Sequence, residues 1–203
     1  MGAIYRHLTV ATVAVLTASI AWAQQPQTMR IRGTIDKLEG NTLSIKSRDG
    51  ADLQINLTDD LRVVGVVKAS LAEIKEGHYI GSAAMPQADG SQKALEIHIF
   101  PEAMRGTGEG HRPYATIPNS TMTNGTVGAT VASVDESSVT LKYKDGEKKI
   151  IVSPTTPILR YEIGDKSDLK TGAAFTILSA VKKPDGSLET ARVNVGRDGA
   201  VPE

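Results

Sequence analysis

Four of the five Asp-Gly dipeptides, at 49–50, 89–90, 145–146 and 185–186, divide this chain into two matched halves. The segment RGTIDKLEGNTLSIKSRDGADLQINL (32–57) lies over GATVASVDESSVTLKYKDGEKKIIVS (128–153). In that overlay Ile35 falls on Val131, Leu38 on Val134, Leu43 on Val139, Ile45 on Leu141 and Ile55 on Ile151. Residues 70–99 lie over 167–195 with a gap of about a residue, bringing Gly77 onto Gly172. Turn residues recurring at the same places are the mark of an internal duplication.

Each copy reads as β-structure. TLSIKSRDGADLQINL and VTLKYKDGEKKIIV alternate apolar and polar residues around Asp-Gly, which predicts hairpins with type I′ turns. SLAEIKEG and SDLKTG predict one short helical turn each, with Ser70 or Ser167 as N-cap and Gly77 or Gly172 as stop. A second hairpin closes each copy. About five strands and a helical turn suit a small closed barrel, so the expected fold is all-β: two tandem OB-like β-barrels of five to six strands.

The expected boundaries are a leader at 1–23, barrels at 24–101 and 125–199, a connector at 102–124, and a tail at 200–203. The leader has Arg6 and His7 before the uncharged apolar run LTVATVAVLTASI (8–20), then AWA, which offers small residues for cleavage after Ala23. That is the layout of a secretory signal peptide, and the run is too short to span a bilayer. The expected location is the periplasm, with no membrane insertion after cleavage. The chain balances 23 Lys+Arg against 23 Asp+Glu and has few aromatic residues, which argues against nucleic acid as a partner. It has no cysteine, so neither disulfides nor thiolate metal sites are available.

Between the copies lies FPEAMRGTGEGHRPY (100–114), followed by STMTNGTV (120–127). Gly106, Gly108 and Gly110 do not make a dinucleotide loop, because Pro113 follows where a helix is needed; they permit sharp bends instead. Beyond His7 the histidines are His78, His98 and His111, and the second copy has neither histidine nor methionine. Glu102, Met104, Glu109 and His111, with His98 just upstream, are therefore candidate ligands for Cu, Zn or Ni. The alternation in ALEIHIF places Leu95, Ile97 and Ile99 inward, leaving Glu96 and His98 on the solvated face. No strand-turn-helix nucleophile elbow occurs, so an enzyme is not expected. The leading expectation is a non-enzymatic binding module presenting the connector to an exported or envelope protein through Arg105, Glu109, His111 and Tyr114, because loops on rigid scaffolds concentrate binding. The alternative is a metal-binding or metal-delivery accessory protein.

The connector and STMTNGTV together resemble the signature of a family of exported proteobacterial proteins with tandem β-domains, a likeness that spans the chain beyond the leader. Here the motif departs after Pro113, where an aromatic residue paired with an acid would be expected and Ala115 and Thr116 offer neither. The label of metal-transporter permease sometimes attached to that family conflicts with a chain holding one apolar run of leader length. What the resemblance implies for metal is an accessory role at most.

Overall fold

The computed structural model describes residues 28–114, 116–131 and 137–202. The leader at 1–23 and the loop holding Val134 lie outside them. Among the described residues there are twelve strands and three single turns of 3-10 helix. In order the strands are β1 (Thr28–Glu39), β2 (Thr42–Ser47), β3 (Asp52–Lys68), β4 (Tyr79–Pro86), β5 (Gln92–Ile99), β6 (Gly110–Pro113), β7 (Thr121–Val131), β8 (Ser137–Tyr143), β9 (Gly146–Val152), β10 (Ile158–Gly164), β11 (Ala174–Lys182) and β12 (Leu188–Gly196).

All twelve strands join one sheet that closes on itself twice. One ring runs β1-β2-β3-β12-β11 and returns to β1; the other runs β5-β4-β7-β8-β9 and returns to β5. Each ring therefore takes three strands from one copy and the last hairpin from the other. The contiguous barrels expected at 24–101 and 125–199 are replaced by an exchange of hairpins. In the first ring β12 lies parallel to β3, from Leu188 beside Ile55 to Gly196 beside Val66. In the second, β5 lies parallel to β9, with Gln92 beside Ile150, and then to β10, with Ile97 beside Ile158.

The segment after each third strand directs this exchange. Beyond Lys68, Ile74 is buried in the second ring's core, with Ala69 and Leu71 packed against it. Its counterpart Leu169 is buried in the first ring's core. Burying a side chain of this size contributes about 1.5–3 kcal/mol, enough to bias where the following hairpin docks. The resulting cores mix the copies: Phe175 and Ile177 pack with Ile35, Leu43 and Ile45, while Ile80 and Ile97 pack with Val139, Leu141 and Ile150.

Four local expectations need correction. In none of the four hairpin Asp-Gly turns does the aspartate adopt positive φ, so the type I′ turns expected at 49–50 and 145–146 do not form. Instead Gly50, Gly90 and Gly186, with φ of 90°, 84° and 87°, donate to Ser47, Gln87 and Lys183, the pattern of a type I turn followed by a left-handed glycine. In both later hairpins the aspartate accepts from the next serine, Asp89 from the Ser91 hydroxyl at 2.6 Å and Asp185 from Ser187 at 2.7 Å. The turn between β8 and β9 is tighter than that between β2 and β3, so Ile150 rather than Ile151 matches Ile55: Val139 pairs with Ile150 as Leu43 pairs with Ile55. A one-residue slip exchanges the faces of a strand. The N-cap of the second helical turn is Asp165, whose carboxylate accepts from Ser167 N–H at 2.7 Å, while Ser70 caps the first as expected. Finally, β7 begins at Thr121, inside the segment assigned to the connector.

Candidate functional site

The rings meet where the second half of β3 crosses β10 antiparallel, from Leu159 beside Lys68 to Gly164 beside Val63. β3 reaches this joint as one 17-residue strand, whereas Pro154 and Pro157 break its counterpart into β9 and β10. Val193 lies beside Val63 in the first ring, and its counterpart Ile97 lies beside Ile158 on β10. Val63 thus corresponds to Ile158 and, three residues on, Val66 to Tyr161. Val66 and Tyr161 are themselves register partners, so a local two-fold axis passes through that pair.

The two faces of this crossing differ. On one, ion pairs lie over glycine backbone. Arg197 donates to Asp168 at 3.0 and 2.7 Å and to Glu162 at 2.6 Å. Arg160 bonds Glu162 and Glu73. A Cβ at Gly65 would stand 2.5 Å from the Arg197 guanidinium carbon, and one at Gly164 would stand 2.7 Å from Asp168 Oδ2, so a side chain at either place would push the ion pair aside. On the other face Val64, Val66, Leu159 and Tyr161 form an apolar cluster with Phe100 and Met104 from the connector packed against it.

The connector is a built element. It makes a 3-10 turn at Glu102–Met104, bends at Gly106, Gly108 and Gly110 with φ of 83°, 56° and 120°, and returns as β6 paired to β7. Asn124 on β7 donates to the Thr107 carbonyl at 2.9 Å, and the Tyr79 hydroxyl donates to the same oxygen at 3.2 Å. Phe100 meets Tyr161 edge-on at 5.3 Å and Tyr79 at 5.5 Å, contacts worth about 0.5–1.5 kcal/mol each beyond their burial.

The residues expected to meet a partner all bond back onto the protein. Arg105 grips Glu102 at 2.5 and 2.7 Å, donates to the Gly77 carbonyl at 2.9 Å and lies over the Tyr79 ring. Its hydrogen bonds hold the Glu102 carboxyl below the usual range. Glu109 accepts from Lys144 N–H at 3.0 Å. His111 Nδ1 meets the Thr123 hydroxyl at 2.8 Å, its ring stacks on Tyr143, and burial lowers its pKa, so it is neutral at pH 7. The Tyr114 hydroxyl accepts from Arg30 at 3.2 Å.

The candidate metal ligands are not assembled into a site. Met104 packs on the apolar cluster, Glu102 faces Arg105, Glu109 and His111 have the partners just described, and His98 bonds Glu96. Among the described residues no three His, Asp or Glu side chains gather as metal ligands.

His98 and Glu96 are not solvated: they are 6% and 8% exposed. They do point out of their own barrel, but the other ring and β10 cover that outer face, and His98 stacks on Tyr161 at 4.8 Å. Leu95, expected inward, is the extra residue of a β-bulge, where Ala83 pairs with Glu96 and Ala84 with Ala94.

Beneath the connector is a cavity of about 180 Å³. Its lining includes His98, Tyr161 and Asn194 together with Arg30, Arg112 and Arg192. Arg192 Nε donates to Asn194 at 3.2 Å, the counterpart of the Glu96–His98 pair, and burial pushes its guanidinium pKa down. Burial, reinforced by the Glu96 charge, pushes the Tyr161 hydroxyl far above the usual phenol range. Thr107 and Arg192 also line a groove of about 740 Å³ that continues past Met104, Val64 and Ile163. The three arginines, Tyr161, Asn124 and Asn194 were not anticipated from the sequence. One signal was available: TARVNV carries Arg and Asn where ALEIHIF carries Glu and His, so both copies place polar pairs on the same strand face.

No protein-family model, curated protein or solved structure matches the chain. Among the described residues no helix is long and apolar enough to cross a membrane.

Proposed function

We propose that the protein is a non-enzymatic, exported binding module whose working element is the connector together with the cavity it roofs. Export to the periplasm rests on the leader pattern, and the two rings are read as OB-like barrels that have exchanged their last hairpins. The carrying observation is the cavity and groove under a connector held at Thr107 by Asn124 and Tyr79. Such a site is concave, largely preformed, and mixes apolar walls with a few convergent polar groups, as small-molecule sites do. Presentation of the connector's outer face to a protein partner has less behind it, because Arg105, Glu109, His111 and Tyr114 are each engaged inward. Metal delivery has less still, since its five donors have separate partners.

The test is an amide-shift survey of the isotope-labelled chain against a panel of small molecules. Binders are expected to move amides at 100–113, 158–163 and 192–194 together. Shifts confined to the ring exteriors, or none from any compound, would overturn the proposal.

A further inference from the structure

Three guanidinium groups line the inner cavity, and among the described residues none of them forms a salt bridge. Arg30 donates through Nη1 to Tyr114 and Thr116, while its Nε and Nη2 are buried without a partner. Among the described residues the Arg192 guanidinium bonds only the neutral Asn194. Among the described residues the Arg112 guanidinium bonds only the Gly108 carbonyl, at 2.7 Å. No carboxylate lines the cavity among the described residues; Glu96, beneath Tyr161 and His98, is tied to His98.

Arg30 and Arg192 are half-buried with no carboxylate partner among the described residues, a loss of hydration that persists only where something offsets it, while Arg112 lines the same cavity from an exposed position. Elsewhere in the same protein the offset is present: Arg160 and Arg197 share Glu162 and hold Glu73 and Asp168. The two faces of one crossing therefore carry opposite arrangements, with arginines neutralised by the chain's own acids on one and left for another source on the other.

We infer that the cavity binds a small oxyanion, a carboxylate or phosphate group, held by Arg30, Arg112 and Arg192, with the Tyr161 and Asn194 side chains beside it. This rests on the binding-module reading and supplies its ligand class. A guanidinium presents paired N–H groups that match two oxygens of such an anion. Water occupies about 30 Å³ per molecule in the liquid, so the cavity has room for about six waters or a compact anionic group. Any apolar remainder of the ligand has the groove beyond Arg192, along Val64, Met104 and Ile163.

The experiment uses the tag-free chain in a chloride buffer, with melting temperature and calorimetric titration as readouts. The probes are inorganic phosphate, succinate, octanoate and, as neutral controls, glycerol and octanol. At least one oxyanion at a hundred times its Kd is expected to raise the melting temperature by about 5–10 °C, with the neutral controls much weaker. The oxyanion that binds most tightly separates phosphate from carboxylate, and octanoate against succinate reports whether the groove is used. Arg192→Met is expected to weaken binding at least tenfold, and Lys149→Met, at an exposed lysine outside the cavity, to leave it unchanged. Arg112→Met, on exposed β6, gives the same reading should Arg192→Met fail to fold. Octanol binding as well as octanoate, or oxyanion binding indifferent to Arg112 and Arg192, overturns the oxyanion inference while the binding module stands. Absence of binding by every probe overturns the inference too, and the binding-module reading then falls only if the amide-shift survey is also empty.

Discussion

Tyr161 stands on the local two-fold axis, and replacing it by alanine should weaken both rings at once. It is 7% exposed, stacks on His98 at 4.8 Å and meets Phe100 edge-on at 5.3 Å. Truncating a buried aromatic side chain costs about 3–5 kcal/mol, and the two ring contacts place this site toward the upper end. A domain's total stability is about 5–15 kcal/mol, so the loss is a large fraction of it. For a chain of this length each kcal/mol lowers the melting temperature by about 2–4 °C, which gives a fall of about 6–20 °C. Tyr161→Phe should cost far less, because the hydroxyl has no hydrogen-bond partner within the described protein. The assay is calorimetric unfolding of the wild type and both variants. Hairpin exchange ties the rings into one unit, so a single transition should move down intact. A trace that splits, with one component at the wild-type temperature, would refute the reasoning, as would a loss below about 1 kcal/mol.

Two further outcomes follow from the joint. Gly81→Ala would place a Cβ 2.6 Å from Asn124 Oδ1 and 3.1 Å from Phe100. It should displace the amide that holds Thr107, cost about 1–3 kcal/mol, and speed tryptic cutting at Arg105 and Arg112; an unchanged digestion rate would contradict that role. Acid should act through the ion-pair face. Asp168 is held below the usual carboxylate range chiefly by hydrogen bonds from Arg197, and Glu73 by the Ser70 N–H and then by Arg160. A depressed folded pKa contributes stability that is present above the unfolded value of about 4 and is lost as pH falls through the folded value. Arg197→Met should cost about 1.5–3 kcal/mol at pH 7 and flatten this acid limb in denaturant titrations below pH 4; an acid limb as steep as the wild type's would count against it.

The all-β class, the positions of the hairpin turns and most of the core were legible because alternation and Asp-Gly are local signals, while the type of turn was not. Leu43, Ile45, Ile80 and Phe175 are buried as their pattern requires. Which ring each hairpin joins was not legible, since Ile74 and Leu169 read as apolar residues in either core and either closure satisfies the same alternation. The site was hidden for the same reason. A strand's outer face is solvated in a lone barrel, so Glu96, His98, Arg192 and Asn194 read as surface until a second ring covers them. The connector's histidine, arginine and acid read as ligands because their partners Thr123, Gly77 and Lys144 lie on distant strands and turns.

Hairpin exchange can be tested directly by cross-linking, since the chain has no cysteine of its own. Thr34 on β1 is the register partner of Ala174 on β11. In contiguous barrels Tyr79, which holds the matching place in the first copy, would take that position instead. Register partners in antiparallel strands have Cα atoms about 4.5–5.5 Å apart, within the span of a disulfide. Thr34→Cys with Ala174→Cys should oxidise to a cross-linked monomer, seen by mass and by non-reducing mobility, while Thr34→Cys with Tyr79→Cys should stay reduced. The reverse result, a monomer cross-linked between 34 and 79 and free between 34 and 174, would contradict the exchange and with it the joint that builds the cavity.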